Sequence, residues 1–189
     1  VWNGITYTQS GTYSSNVGSS NNYSMSFDGT DDYIDCGNLS GYTFGDMTLA
    51  CWFKTSASTP GPGSNYQGLI TKDCNGCGQD FAFLVGNTDN GDISFHGEGM
   101  GGVNSTALND GNWHYVVGTR NSTNGFMQLY VDGVIVDTDT GPTGTIANSD
   151  NLHFGKYHPS NPHYYLGLID EISVWNVVID SNQIQQYMN

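Results

Sequence analysis

With 189 residues and 20.4 kDa, the chain fits a single domain. At this size folding withdraws roughly 70% of the unfolded surface from water, so a core forms without metals or many disulfides. Four Lys and Arg against eighteen Asp and Glu leave a net charge of −14. That balance excludes nucleic acid and anionic membranes as partners, because phosphate recognition needs clustered cations. There is no run of about 18 apolar residues, so no membrane-inserting segment is expected. Residues 1–10 are polar, without the basic and apolar stretches of a signal peptide, so the chain is expected to be a mature protein or an excised domain.

Sixteen of the eighteen acids are Asp, with Glu only at Glu98 and Glu171. Asp favours turns, caps and hard metals, whereas Glu is the better helix former. Polarity comes mainly from 26 Gly, 20 Asn, 18 Ser and 17 Thr rather than from charge. This composition reads as an all-β extracellular domain, and the acidic balance keeps such a domain soluble and monomeric.

Residues 1–22 are rich in Ser, Gly, Asn, Thr and Tyr and nearly devoid of branched aliphatics, which marks them as a linker or the end of a preceding repeat. From residue 23 to 189 short alternating runs are separated by Gly, Asn, Asp and Pro, the pattern of a β-sandwich or barrel. The predicted strands are 23–28, 32–36, 47–54, 68–72, 81–85, 92–96, 113–121, 126–131, 134–137, 152–156 and 166–176. Along 47–54, Met47, Leu49, Cys51 and Phe53 share one face and Thr48, Ala50, Trp52 and Lys54 the other. Asp89-Asn90-Gly91, Asn124-Gly125 and Asp132-Gly133 supply tight hairpin turns, so neighbouring strands run antiparallel. Only the C-terminus reads as helical: Asp180 caps it, Gln183 completes a capping box, and Ile184, Tyr187 and Met188 form one face. Residues 55–66 and 96–109 read as long loops, where binding is usually carried.

Of the four cysteines, Cys74 and Cys77 have CxxC spacing. A strand rather than a helix follows, which argues against redox chemistry, and no second ligand pair exists for zinc. A loop disulfide is therefore expected there, with Cys51 in the core and Cys36 either free or paired.

The order of segments resembles the laminin-G-like, concanavalin-A-like jelly roll. Tyr23-Ser-Met-Ser-Phe-Asp28-Gly29-Thr-Asp-Asp32-Tyr33-Ile34 is similar to its opening strand pair, and Phe44-Gly-Asp-Met-Thr-Leu-Ala-Cys-Trp52-Phe53-Lys54 to its next core strand. Gly111-Asn-Trp113-His114-Tyr, followed by Met127-Gln-Leu-Tyr-Val-Asp132-Gly133, is similar to the central hairpin, and Gly167-Leu-Ile-Asp170-Glu171 with the short helix to the ending. The resemblance implies a two-sheet antiparallel sandwich with a short C-terminal helix. It also implies a structural calcium ion (Ca2+) between the first strand turn and the last strand, at Asp28, Gly29, Asp32 and Asp170. Trp2-Asn3-Gly4 through Tyr13 resembles the repeats of large secreted bacterial surface proteins, which implies an adhesin or other multidomain secreted parent. The alternative to calcium is that Asp28 caps its own turn and Asp170 faces solvent.

The glycosidase branch of this superfamily carries Glu-x-Asp-x-x-Glu on one strand, and that triplet is missing here, as is a Gly-x-Ser-x-Gly elbow. The expectation is a non-catalytic module. Glycan binding needs aromatic platforms and hydrogen-bonding side chains. Tyr66, His96, Glu98, Tyr157, His158, His163 and Tyr164, with Tyr165 beside them, fall outside the regular core alternation. Asp73, Asp80, Asp89, Asp92 and Glu98 flank strand ends and could hold a ligand-bridging calcium. The expected ligand set is therefore Tyr66, Asp73, Asp80, His96, Glu98, Tyr157, His158, His163 and Tyr164, and the expected partner is carbohydrate or a cell-surface glycoconjugate. The alternative is that Tyr decorates an extracellular β-surface for stability and solubility. A zinc site at His153, His158 and His163 would require those rings to converge with a carboxylate. The rival readings are a protein-binding or spacer domain, and a divergent glycosidase built on Glu98 or Glu171 paired with an Asp in a cleft.

Overall fold

The computed structural model describes residues 23–39, 43–58, 66–74, 79–86, 90–157 and 163–188; the expected linker at 1–22 lies outside them. Among the described residues, fourteen strands and one helix follow in chain order. The first strands are β1 (Met25–Asp28), β2 (Ile34–Asp35), β3 (Met47–Lys54), β4 (Gln67–Lys72), β5 (Phe81–Val85), β6 (Asp92–Gly97) and β7 (Gly101–Ala107). After these come β8 (His114–Arg120), β9 (Phe126–Val131), β10 (Val134–Thr140), β11 (His153–Phe154), β12 (Lys156–Tyr157), β13 (His163–Tyr164), β14 (Leu166–Trp175) and α1 (Ser181–Met188). One six-stranded sheet has the order β1-β14-β3-β8-β9-β10, the other β2-β11-β4-β5-β6-β7, and β12 pairs with β13 as a separate ribbon. The pairings between described strands are antiparallel, as expected for a jelly-roll sandwich.

Period-two alternation builds the core. Met47, Leu49, Cys51 and Phe53 of β3 point between the sheets, against Phe81, Phe83 and Val85 of β5 and Ile93 and Phe95 of β6. The opposite face of β3 is covered as well: Ala50 joins Tyr115, Val117, Tyr130, Ile179 and Ile184 in a second cluster, with Trp52, Trp175 and Met188 at its edge. The helix lids this outer face. Its expected capping box is present, with the Gln183 N–H donating to Asp180 Oδ1 at 2.9 Å and the Asp180 N–H donating to Gln183 Oε1 at 2.9 Å. The β9–β10 turn has positive φ at both Asp132 (51°) and Gly133 (78°), the backbone a type I′ hairpin requires.

One expected loop is a strand. Residues 101–107 pair along β6 as β7, although only Val103 among them is apolar and fully buried. Its outer edge is completed by carboxylates of β10: Asp137 Oδ2 accepts the Asn104 N–H at 2.9 Å and Asp139 Oδ2 accepts the Gly102 N–H at 3.3 Å. Side chains thus occupy ladder positions that an open edge would leave unpaired, and the two sheets close along that side. The expected strand 152–156 is interrupted at Gly155 (φ 80°), where the chain leaves β11 and starts the β12–β13 ribbon. Cys74 is disulfide-bonded, while Cys36 and Cys51 are free thiols.

Candidate functional site

The outer faces of both sheets are covered, and Ala82, Leu84, Asp92 and Ser94 on the second are at most 3% exposed. The first sheet is lidded by the helix; the outer face of the second carries the polar side chains the sequence singles out. Along β5 and β6 the outward positions are Ala82 and Leu84, then Asp92, Ser94 and His96, with Ala82 opposite His96 in the ladder. Asp73 follows β4 and Asp80 precedes β5, so both carboxyls stand at the same end of this face. The β12–β13 ribbon crosses above it at Gly68. A Cβ there would lie 2.4 Å from the Lys156 carbonyl carbon, and the Thr71 hydroxyl donates to the Lys156 carbonyl at 2.6 Å.

The ribbon sorts the aromatics by parity. Tyr157 pairs with His163 and Lys156 with Tyr164, so the two pairs take opposite faces. On one face Tyr66 meets Tyr157 at 4.9 Å and His163 at 5.3 Å between ring centroids, both edge-on. On the other, Tyr164 and Lys156 surround Tyr33, with ring centroids 6.2 Å apart and the ammonium 4.4 Å from the Tyr33 ring. Tyr164 therefore leaves the expected set, because it stands on the far side of the ribbon from Tyr157. Tyr165 is fully buried in the core and donates its hydroxyl to the Lys54 carbonyl. His158 lies outside the described residues. His153 sits at β11 beside Asp35 (3.8 Å) and Tyr33, away from the Tyr66–Tyr157–His163 group, so a shared zinc site with His163 is not formed.

Beneath Tyr157 lies the acidic group. Asp73 and Asp80 are 6% and 8% exposed, and their carboxyls hydrogen-bond each other. Asp80 Oδ1 also accepts the Glu98 N–H at 2.5 Å. Burial first, then the neighbouring Asp73, raises the Asp80 pKa to about 6 against the Glu98 N–H bond that lowers it. Burial raises Asp73 in the same direction and pushes the Tyr157 phenol up, with the two Asp charges adding to it. His96 is held below its ordinary pKa by burial, opposed by Asp80 and Asp92. Two buried atoms in this group, Asp73 Oδ2 and His96 Nε2, have no hydrogen-bond partner among the described residues. Buried polar atoms left unsatisfied are rare in folded proteins, and here two belong to one acidic-aromatic cluster.

The Asp80 proton has a stability consequence. An acid whose native pKa is raised from 3.8 to about 6 holds a proton that the unfolded chain releases, so its stabilising contribution is lost as pH rises across that window. Asp110, held to about 2 chiefly by the Asn112 N–H, acts with opposite sign and below pH 4. In chelator, the thermal midpoint of the wild type is expected to fall between about pH 4 and 6.5 relative to Asp80→Asn. Parallel curves for the two proteins would show that the Asp80 proton is not held.

The expected calcium quartet is rearranged. Asp28, Asp31 and Asp32 bring carboxylate oxygens within 4.8 Å of one another in the exposed turn after β1. In that turn Asp28 Oδ1 accepts the Thr30 N–H and Asp32 Oδ2 the Asp28 N–H, and Gly29 supplies the positive φ of 77°. Asp170 does not join them. Asp28 pairs with Leu166, and Asp170 stands four residues further on, about 13 Å along the strand. Sequence reading missed Asp31, whose adjacency to Asp32 was the available signal. The turn offers an all-oxygen donor set of the kind a hard cation takes; in the Asp73–Asp80 group the unsatisfied atom is Asp73 Oδ2.

Comparison with known proteins places this geometry. The family model of the concanavalin A-like lectin/glucanases superfamily, of laminin G type, matches residues 28–185. A curated rat relative, sushi, von Willebrand factor type A, EGF and pentraxin domain-containing protein 1, is 28% identical over 148 residues, which is 74% of this chain and 4% of that protein. Among solved structures, a candidate carbohydrate-binding protein from Bacteroides ovatus superposes with a TM-score of 0.71 at 18% identity, covering 85% of this chain and 46% of that one. The CBM40 module of the Ruminococcus gnavus IT-sialidase, bound to α2,3-sialyllactose, superposes with a TM-score of 0.64 at 16% identity, covering 88% of this chain and 95% of that one. The chain thus spans a small part of the curated relative and under half of the first solved neighbour.

Proposed function

Because the chain belongs to the concanavalin A-like lectin/glucanases superfamily, we propose that it is a non-catalytic, extracellular carbohydrate-binding module whose site is the outer face of the second sheet. The observation that carries this reading is the convergence of Tyr66, Tyr157 and His163 over buried Asp73 and Asp80, with His96 beside Asp80. Tyr157 and Tyr66 present ring edges and faces to the apolar side of a sugar, while Asp73 Oδ2 accepts from a hydroxyl and His96 Nε2 offers a further polar contact. Glu98, at the turn beside Asp80, lines the same end. The carbohydrate-binding neighbours support the class of ligand; the acidic wall favours a neutral glycan, or an acidic one bridged by calcium.

Calcium enters this proposal in two roles. The Asp28–Asp31–Asp32 turn would hold it structurally, fixing the β1 end, and Asp73 with Asp80 would hold it against ligand. No helix among the described residues is long and apolar enough to cross a membrane. The glycosidase alternative needs two carboxyls about 5–5.5 Å apart for retention. Asp73 and Asp80 are closer than that, and Asp80 meets Glu98 through its backbone N–H; Glu171 does line a cavity with Asp170, the two adjacent in sequence and joined through the Glu171 N–H.

The test is a glycan array probed with wild type and Tyr157→Ala, in calcium and in chelator. Saturable binding that Tyr157→Ala lowers at least tenfold is expected, a loss of about 1.4 kcal/mol, in the range for truncating one aromatic anchor of a binding site. Loss in chelator assigns calcium to the ligand and retention assigns it to the turn. Absence of binding in both buffers, with the protein folded, contradicts the proposal in favour of a protein-binding or spacer domain.

A further inference from the structure

A cavity lies on the outer side of the first sheet, away from the Tyr66–Tyr157 group. It has a volume of about 340 Å³ and is lined by Trp52, Trp113, Asp170 and Glu171. Trp52 stands on the outward face of β3 and packs on Tyr115 with ring centroids 5.3 Å apart; Trp113, just before β8, is 36% exposed. The indoles therefore wall the cavity without being consumed by the core.

The carboxylates arrive by a departure from strand geometry. Successive residues of a strand point to opposite faces, yet Asp170 and Glu171 both line this cavity. Between Asp170 and Ser173 the β14–β3 ladder shifts register, and Glu171 takes a left-handed backbone, φ 49°, rare for a residue with a Cβ. The bulge re-aims Glu171, as such irregularities do near binding sites. The Glu171 N–H donates to Asp170 Oδ1 at 2.8 Å, which fixes the two side chains relative to each other. Burial, with the Asp170 charge second, raises the Glu171 pKa. The ion pairs between described residues are His–Asp pairs elsewhere, and Glu171 is in none of them. Lys54, two residues beyond Trp52 on the same face of β3, is outside the lining.

We propose that this cavity is a binding site for a small organic ammonium group, held between the indole faces of Trp52 and Trp113 and charge-paired with Glu171 and Asp170. Indole faces attract cations through their negative quadrupole, and most strongly for Trp. A carboxylate set beside a second carboxylate and an apolar wall is relieved by a positive charge and not by a neutral ring. Sugar hydroxyls can donate to these carboxylates, but they bring no positive charge to Glu171, so glucose serves as the competing probe. The cavity size fits a trimethylammonium group or the end of a primary alkylamine.

Tryptophan fluorescence tests it, with tetramethylammonium and n-butylamine as probes, tert-butanol as the neutral isostere, sodium chloride at matched ionic strength, and glucose as a neutral sugar. The expected result is a saturable change with one or both amines that is absent with the controls. Glu171→Gln, at an exposed position that leaves the fold intact by circular dichroism, is expected to weaken it at least tenfold, and Trp113→Leu similarly, whereas Tyr157→Ala leaves it unchanged. Preference for the quaternary probe points to a methylated ammonium ligand, and preference for butylamine to a lysine-like one. A response to tert-butanol equal to that of the amines, a response to glucose in their place, no saturable response to either amine, or insensitivity to Glu171→Gln each overturns the assignment. The Tyr157→Ala arm keeps this result separate from the carbohydrate site.

Discussion

Gly68→Val is expected to destabilise the domain by about 3 kcal/mol, lowering the thermal midpoint by about 6–12 °C, and to abolish the aromatic site at the same time. The reason is local and steric. The β12–β13 ribbon lies directly on Gly68, where a Cβ would fall 2.4 Å from the carbonyl carbon and oxygen of Lys156 and 2.7 Å from the Tyr157 N. These are backbone atoms, so no rotamer change relieves the clash and the ribbon itself must lift. Lifting it breaks the Thr71 hydroxyl bond to the Lys156 carbonyl and withdraws Tyr157 and His163 from Tyr66. Denaturant unfolding and glycan titration of the same variant check both halves. Equal glycan affinity in Gly68→Val would show that the ribbon does not position the site.

Arg120→Met is the substitution expected to cost most in stability without touching the site, about 4 kcal/mol. Arg120 is 1% exposed and its guanidinium donates to the carbonyls of Gly45, Pro142 and Gly144 at 3.0–3.1 Å. It ties the chain before β3 to the segment after β10, and removing it takes the donor from three carbonyls and the packed stem from a fully buried position, at about 1.5–3 kcal/mol for each hydrogen bond to a charged group. Asp46, which accepts both the N–H and the hydroxyl of Ser122, adds a favourable charge beside it. A midpoint about 8–16 °C lower is expected by calorimetry, with glycan affinity at low temperature retained. A change within 2 °C would mean that water replaces the guanidinium without penalty.

Much of the fold is legible because alternation and turn chemistry agree. The two faces of Met47–Lys54 separate into the two apolar clusters as their period predicts, and Asp132-Gly133 forms the turn its residues favour. Residues 101–107 escape recognition because their ladder is satisfied from outside, by Asp137 and Asp139, and needs little apolar content. Most of the expected ligand residues meet, since Asp73, Asp80 and His96 sit at strand ends and outward positions of adjacent strands. Parity within a two-residue strand decides Tyr157 against Tyr164, and neither composition nor loop position carries that information. Asp170 escapes for a related reason. Its distance from Asp28 depends on the β1–β14 register, and its company with Glu171 depends on a bulge that no residue pattern announces.

The claim that stands or falls first is that sugar binds on the outer face of the second sheet. A crystal structure of the domain with the tightest-binding oligosaccharide from the array tests it most directly. The account predicts the sugar ring against Tyr66 and Tyr157, with a hydroxyl or a bridging calcium on Asp73 Oδ2. A sugar bound elsewhere, with Tyr157, Asp73 and His96 untouched, would contradict it.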